Sequence, residues 1–196
     1  MSRRDTLPGA EPGLVELIRS DWREAQEFYC GHAVTHLFPN VYVAVTYRLA
    51  HALERRRLRP LAYLLALVCQ VLTGAEIRPG ATVGPGLLVV HPHGIVIGPD
   101  VVAGRGLWLF GKNTLGRTRN PAHPYGGSPV VGDDVHVGTG ACLLGPVKVG
   151  DDVEIGALSV VVEDVPDGGR TRAGATIVSG PRPVGGDDGG EPVQGE

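Results

Sequence analysis

Val131-Gly-Asp-Asp-Val-His136, Val137-Gly-Thr-Gly-Ala-Cys142, Leu143-Leu-Gly-Pro-Val-Lys148, Val149-Gly-Asp-Asp-Val-Glu154, Ile155-Gly-Ala-Leu-Ser-Val160 and Val161-Val-Glu-Asp-Val-Pro166 follow one another without a gap. Each hexad opens on Val, Leu or Ile and carries small residues behind it. The same reading holds upstream, with leads at Ile77, Val83, Val89, Ile95, Val101 and Leu107. A fixed short period of this kind marks a repeat architecture in which each unit buries its apolar residue against its neighbours. Twelve aliphatic leads at six-residue spacing predict a parallel β-helix: a prism with three flat faces, its interior filled by the leads and its corners turned by small residues.

Working outward, composition agrees. The 196 residues include 30 Gly and 16 Pro, yet 42% are hydrophobic and only 5% aromatic. The apolar fraction excludes wholesale disorder, and the Gly and Pro lack collagen's three-residue period. A net charge of -3 excludes a general nucleic-acid binder. Cys30, Cys69 and Cys142 are odd in number and far apart, which excludes a disulfide framework or zinc ribbon and fits a reducing cytoplasm. Arg3 and Arg4 are followed by no apolar run, so no signal peptide is expected. The apolar run Leu61–Leu72 is too short for a bilayer, which takes about 20 residues.

Before the repeats, apolar residues recur at helical spacing. Leu14, Leu17, Ile18, Trp22, Ala25 and Phe28 lie on one helical face between Gly13 and Tyr29. A second helix is expected from about Val41 to Arg57. Pro60 then opens a third, over Leu61–Leu72, and Gly74 caps it. The expected organisation is a flexible N-terminus (1–12), a helical domain (13–74), a β-helix domain (75–179) and a disordered acidic Gly-rich tail (180–196). The stretch 117–128 has no aliphatic lead, so it reads as a loop thrown out from a corner.

Several segments go beyond the generic repeat. Tyr47-Arg48-Leu-Ala-His51, Thr73-Gly74-Ala-Glu76-Ile77-Arg78-Pro79-Gly80-Ala81, His91-Pro-His93-Gly94-Ile95-Val96-Ile97-Gly98, Thr114-Leu115-Gly116 and Ser159-Val-Val-Val-Glu-Asp-Val-Pro166 closely resemble the serine O-acetyltransferase family. The resemblance runs over roughly 14–180. It implies an α+β fold in which an N-terminal α-helical domain precedes a left-handed parallel β-helix. It also implies a homotrimer or a dimer of trimers, acetyl-CoA as co-substrate, and transfer of acetyl to a hydroxyl in cysteine biosynthesis.

By this resemblance His91 matches the family's catalytic histidine, and Glu76 matches the acidic residue that fixes its tautomer. The chemistry is sound. A hydroxyl is un-ionised at neutral pH, and a general base with a pKa near 7 suits its activation. Glu76 and His91 are separated by slightly less than one coil of three hexads, which allows them to be neighbours on adjacent coils. As an isolated residue, His91 would read as a structural corner; Glu76 and the surrounding motif favour the catalytic role. A metal site built from His91, His93, His123 and His136 is not called for by the spacing, and no metal is expected. For CoA, the resemblance implies a groove lined by Gly116, Gly138, Thr139 and Ala157, with Lys148, Arg170 and Arg172 as candidate phosphate partners.

The acceptor side departs from the family. Val90 stands where serine-specific members carry Asp, Arg78 where they carry His, and Gly127-Ser128-Pro129 where they carry Arg-His-Pro. Their helical-domain Asp-Pro pair is missing near Asp21–His36. Losing charge-assisted contacts to a small zwitterion costs about 1.5–3 kcal/mol each. Val90, His93, Arg78, Arg117, His123 and Ser128 are therefore the acceptor-binding candidates, with Arg119 and Tyr125 of the loop beside them. The acceptor reads as L-serine or a serine-like molecule. The alternatives are a sugar, polysaccharide or specialised-metabolite hydroxyl, or a non-catalytic trimeric scaffold. The chain ends Pro-Val-Gln-Gly-Glu rather than in an apolar residue, so no complex with the sulfhydrylase of cysteine synthesis is expected.

Overall fold

A computed structural model of the chain describes residues 12–29, 39–117 and 127–177. Cys30, Arg119, His123, Tyr125, nearly all of the expected flexible N-terminus and the whole expected tail lie outside the described residues. Three helices come first: α1 (Leu14–Phe28), α2 (Pro39–Arg55) and α3 (Arg59–Thr73). Pro60 sits in the first turn of α3, and Gly74 closes the helix in the left-handed region at φ 74°.

Parallel strands of two or three residues then wind into coils. The first coil is β1 (Glu76–Ile77), β2 (Thr82–Val83) and β3 (Leu88–Val89). The second is β4 (Val96–Ile97), β5 (Val102–Ala103) and β6 (Trp108–Leu109). The third is β7 (Thr114–Gly116), β8 (Val130–Val131) and β9 (His136–Val137), and the fourth β10 (Cys142–Leu144), β11 (Lys148–Val149) and β12 (Glu154–Ile155). A fifth holds β13 (Val160–Val161), with β14 (Thr176–Ile177) beyond it. They stack into three sheets: β1-β4-β7-β10-β13-β14, β2-β5-β8-β11 and β3-β6-β9-β12. This is the left-handed parallel β-helix expected from the hexads, behind an α-helical segment.

All twelve expected leads are buried, but the phase differs from an unbroken six-residue count. The inward strand residues are Ile77, Val83 and Val89, then Ile97, Ala103, Leu109 and Leu115. Ile97 pairs with Leu115 and Leu143 with Val161, each a step of three hexads. Ile77 pairs not with Ile95, which that step would give, but with Ile97. Two extra residues therefore enter between β3 and β4. Ile95, Val101 and Leu107 are buried as a second inward position, two residues ahead of each strand residue. Both inward positions are aliphatic, which is why the count alone does not register the slip.

The first coil has no coil above it, so its strands present open backbone edges. Helices α1 and α2 close them. Tyr47 donates its hydroxyl to the Ala81 carbonyl (2.8 Å) and accepts from the Val83 N–H (3.1 Å). Arg48, 1% exposed, donates to the carbonyls of Val83 and Gly84 and forms a bidentate pair with Asp21 at 2.8 and 2.9 Å. Asp21 accepts in addition from the N–H groups of Gly86 (3.0 Å) and Leu87 (2.9 Å). His51 Nδ1 lies 2.8 Å from the Pro79 carbonyl oxygen. A second apolar cluster, in which Trp22, Phe28, Trp108 and Phe110 surround buried Ala25, Val41, Leu88 and Val90, packs α1 on the outer face of the β3-β6 sheet.

The joint sets two measurable outcomes. Removing one partner of a buried ion pair strands the other, so Arg48→Ala is expected to lose about 3–5 kcal/mol of unfolding free energy in urea titrations. Burial pushes the Tyr47 phenol up to about 12, against about 10 in an unfolded chain. Its contribution is complete below the unfolded value and is lost as pH rises towards the folded one. Stability should therefore fall by about 2–3 kcal/mol over that alkaline window. Tyr47→Phe should lack this part of the slope when unfolding is compared from pH 9 upward.

Candidate active site

The two extra residues make the corner between β3 and β4 longer than its counterparts. Val90 and His91 take the places held one coil down by Phe110 and Gly111. Pro92 and His93 are the insertion, and Gly94 (φ 74°) resumes the turn that Lys112 makes below. His91 is exposed and makes no hydrogen bond to another described residue. Its Cβ rests on Gly111, where an added Cβ would stand 2.9 Å from it.

The same corner position is occupied by Thr139 and Ala157 in the following coils. Gly140 N–H bonds to the Gly111 carbonyl (2.8 Å), Leu158 N–H to that of Thr139 (2.9 Å), and Gly174 N–H to that of Ala157 (2.7 Å). A column of small residues thus descends from His91. Gly138 borders it, so close to the next coil that an added Cβ would come within 2.6 Å of the Ala157 nitrogen. Arg172 is exposed beside Gly156 at the foot of the column. Sequence-selected Gly138, Thr139, Ala157 and Arg172 are therefore brought into line with His91. Lys148 is not: it lies on β11, another face of the prism, beside a groove lined by Asp133, Asp151, Asp164 and Asp167. Arg170 is engaged by Glu154.

Glu76 heads β1, across the corner from His91. Its carboxylate accepts from Gln70 Nε2 (3.1 Å) and pairs with Arg78 Nη2 at 2.6 Å. No hydrogen bond joins it to His91. His93 is exposed, with Nδ1 packed against Gly74 and its carbonyl accepting from the Lys112 N–H at 3.2 Å. Val90 is only 8% exposed, and its carbonyl accepts from the Tyr29 hydroxyl (3.2 Å), itself hydrogen-bonded by Asn40. Burial raises the Tyr29 phenol above its ordinary value, which keeps the proton on that donor.

Gly116, Arg117 and Ser128 occupy a different place. Gly116 ends β7, Arg117 pairs with Asp100, and Ser128 lies just ahead of β8. All three are at the corner between the β7 and β8 faces, whereas His91 is at the corner that leads into β4. Among the described residues, no group of three or more His, Cys, Asp or Glu is arranged to hold a metal ion. No described helix is long and apolar enough to cross a membrane.

Sequence reasoning missed Asn113. It is fully buried inside the prism and accepts from the Gly111 N–H (2.8 Å) while donating to the Gly138 carbonyl (2.7 Å). The available signal was an amide two residues ahead of the inward Leu115, where the other coils carry Ile95, Ala141 and Ser159.

A prism of hexads with an exposed imidazole at an enlarged corner defines a hexapeptide-repeat transferase. Residues 128–162 match the bacterial transferase hexapeptide (six repeats) family. The chain is 42% identical over 135 residues to a serine acetyltransferase of Helicobacter pylori, covering 67% of this chain and 76% of that one. Soybean serine acetyltransferase complexed with serine superposes with a TM-score of 0.72 at 32% identity, covering 88% of this chain and 69% of the other. A serine acetyltransferase in complex with CoA gives a TM-score of 0.73 at 26% identity, covering 82% and 67%. The protein belongs to the serine acetyltransferase family. It spans 62% of the length of the Entamoeba histolytica isoform 3 enzyme.

Proposed function

We propose that the protein is an acetyl-CoA-dependent O-acetyltransferase that acts on the hydroxyl of L-serine or a serine-like small acceptor, in cysteine biosynthesis. The observation that carries this reading is the exposed, unbonded imidazole of His91 at the head of a small-residue column. His91 removes the hydroxyl proton as the acceptor oxygen attacks the thioester carbonyl. The tetrahedral adduct collapses, the thiolate of CoA leaves, and the imidazolium returns the proton to sulfur. No covalent enzyme intermediate is needed. Glu76 is the group we assign to orient His91. A carboxylate offers about four acceptor sites, so its bonds to Gln70 and Arg78 leave capacity for a ring N–H.

The column of Gly111, Thr139 and Ala157, with Gly138 beside it, suits a pantetheine arm lying along backbone, and Arg172 suits the phosphates. Relatives solved with serine and with CoA support serine and CoA as the ligands of such a site. We assign the working unit as a homotrimer. The acceptor candidates Arg117 and Ser128 are one corner away from His91 in the same chain, and in the trimer we assign it is a neighbouring prism that brings the two corners to one groove. The cytoplasm is the compartment we assign. The burial of Val90 among aromatic side chains favours, as a second reading, an uncharged acceptor such as a sugar hydroxyl.

A free-thiol release assay with serine, homoserine and several sugars separates the acceptors. In it, His91→Ala is expected to lose about 10²–10⁴-fold in kcat with the preferred acceptor. Full activity in that variant overturns the assignment.

A further inference from the structure

We propose that Asn113 is a positioning residue for His91, acting through the backbone of Gly111. The proposal rests on the reading of His91 as the base, and it concerns what holds that base in place.

The corner beneath His91 differs from its counterparts. Gly111 (φ 121°) and Lys112 (φ 54°) are two successive residues with positive φ. The corner of the fourth coil has one, Leu158 at φ 60°, and that of the third has one, Gly140 at φ 75°. Glycine takes positive φ as readily as negative, so the direction of this corner needs a constraint from outside its own backbone. Asn113 supplies that constraint. It is 0% exposed in an interior of aliphatic side chains that it shares with one buried hydroxyl, Ser159, and an unpaired amide there is costly. Its bonds therefore fix geometry rather than merely add stability. Oδ1 takes the Gly111 N–H at 2.8 Å, and Nδ2 reaches the carbonyls of Gly138 (2.7 Å) and Ala141 (3.4 Å). One side chain thus ties the corner below His91 to the corner below that.

Gly111 passes the constraint on. A Cβ placed there would lie 2.9 Å from the His91 Cβ and 3.1 Å from its carbonyl oxygen. The main chain of Gly111 is the surface on which His91 sits, and nothing larger than hydrogen fits between them. His91 makes no hydrogen bond of its own to another described residue, so within this chain the placement of its main chain and Cβ depends on this seat. If Gly111 turns, the imidazole moves with it. A displacement near 1 Å is enough to cost about 10²-fold in rate.

The test is Asn113→Val, which keeps the interior apolar and filled, together with Gly111→Ala, which strikes the same contact from outside the core. Each variant is purified as the full chain. Thermal melting reports the fold, steady-state kinetics report kcat and KM, and nitrogen-15 NMR titration of the His91 ring reports its environment without turnover. The expected result for Asn113→Val is a cooperative melt and a kcat lowered roughly 10–100-fold. Its KM for acetyl-CoA should stay within about twofold, with a displaced His91 titration midpoint. Gly111→Ala should displace the same resonance. A folded Asn113→Val protein with wild-type kcat and wild-type His91 titration overturns the proposal. If Asn113→Val does not fold, Gly111→Ala decides, and an unchanged kcat and His91 resonance there overturns it. Full activity of His91→Ala would sink the base reading instead, and the NMR comparison would still judge the seat by itself.

Discussion

The structure depends on closing the upper edge of a prism. A stack of parallel coils satisfies its backbone internally everywhere except at its two ends, where unpaired N–H and carbonyl groups would be left open. Here the first coil is closed by side chains rather than by another strand. Tyr47 and Arg48 are successive residues of α2, and they serve Ala81, Val83 and Gly84. Asp21 of α1 serves Gly86 and Leu87 while holding Arg48. A guanidinium has five donors in a fixed fork, so one residue can join a carboxylate and two carbonyls at once. Without that joint the helices would keep only the apolar cluster and isolated hydrogen bonds to set their register on the prism.

A second constraint follows from the period. Three hexads complete a turn, so corners fall in columns and backbone bonds lock each column from coil to coil. An insertion cannot be absorbed by the strands, whose inward residues are fixed by the core. It is expelled at a corner. The two extra residues between β3 and β4 do this, and the enlarged corner presents His91 and His93 to solvent. The longer stretch of sequence between β7 and β8 leaves the core rung unbroken in the same way, with Leu115 still paired to Leu143.

Much of the fold was legible because its governing period is written in the side chains. Every expected lead is inside, and the cap at Gly74 is where the sequence placed it. The phase after His91 was not legible, because Ile95, Val101 and Leu107 look like strand leads and are equally buried. Nor was the Asp21–Arg48 pair, whose members are 27 residues apart and whose remaining partners are backbone groups with no side-chain signature. In the candidate site, Thr139 and Ala157 were visible because small residues recur at corners. The place of Lys148 was not legible for the opposite reason: a charge in sequence carries no record of which of three faces it occupies.

These rules also explain why candidate chemistry gathers at corners. The interior admits few polar atoms, and the flat faces are committed to hydrogen-bonded ladders. Only a corner can change length without disturbing the core. The exceptions, Asn113 and Ser159, are informative. Asn113 places an amide inside the prism, hydrogen-bonded at both its oxygen and its nitrogen, one coil below His91 and directly behind the residue His91 touches. A polar group that deep is costly unless every bond is made, and a group with every bond made is immobile. The prism therefore offers two kinds of position near the enlarged corner: an outer one free to meet a substrate, and an inner one that cannot move. A base on a protruding corner needs both. Its side chain must reach solvent, while its main chain must not follow.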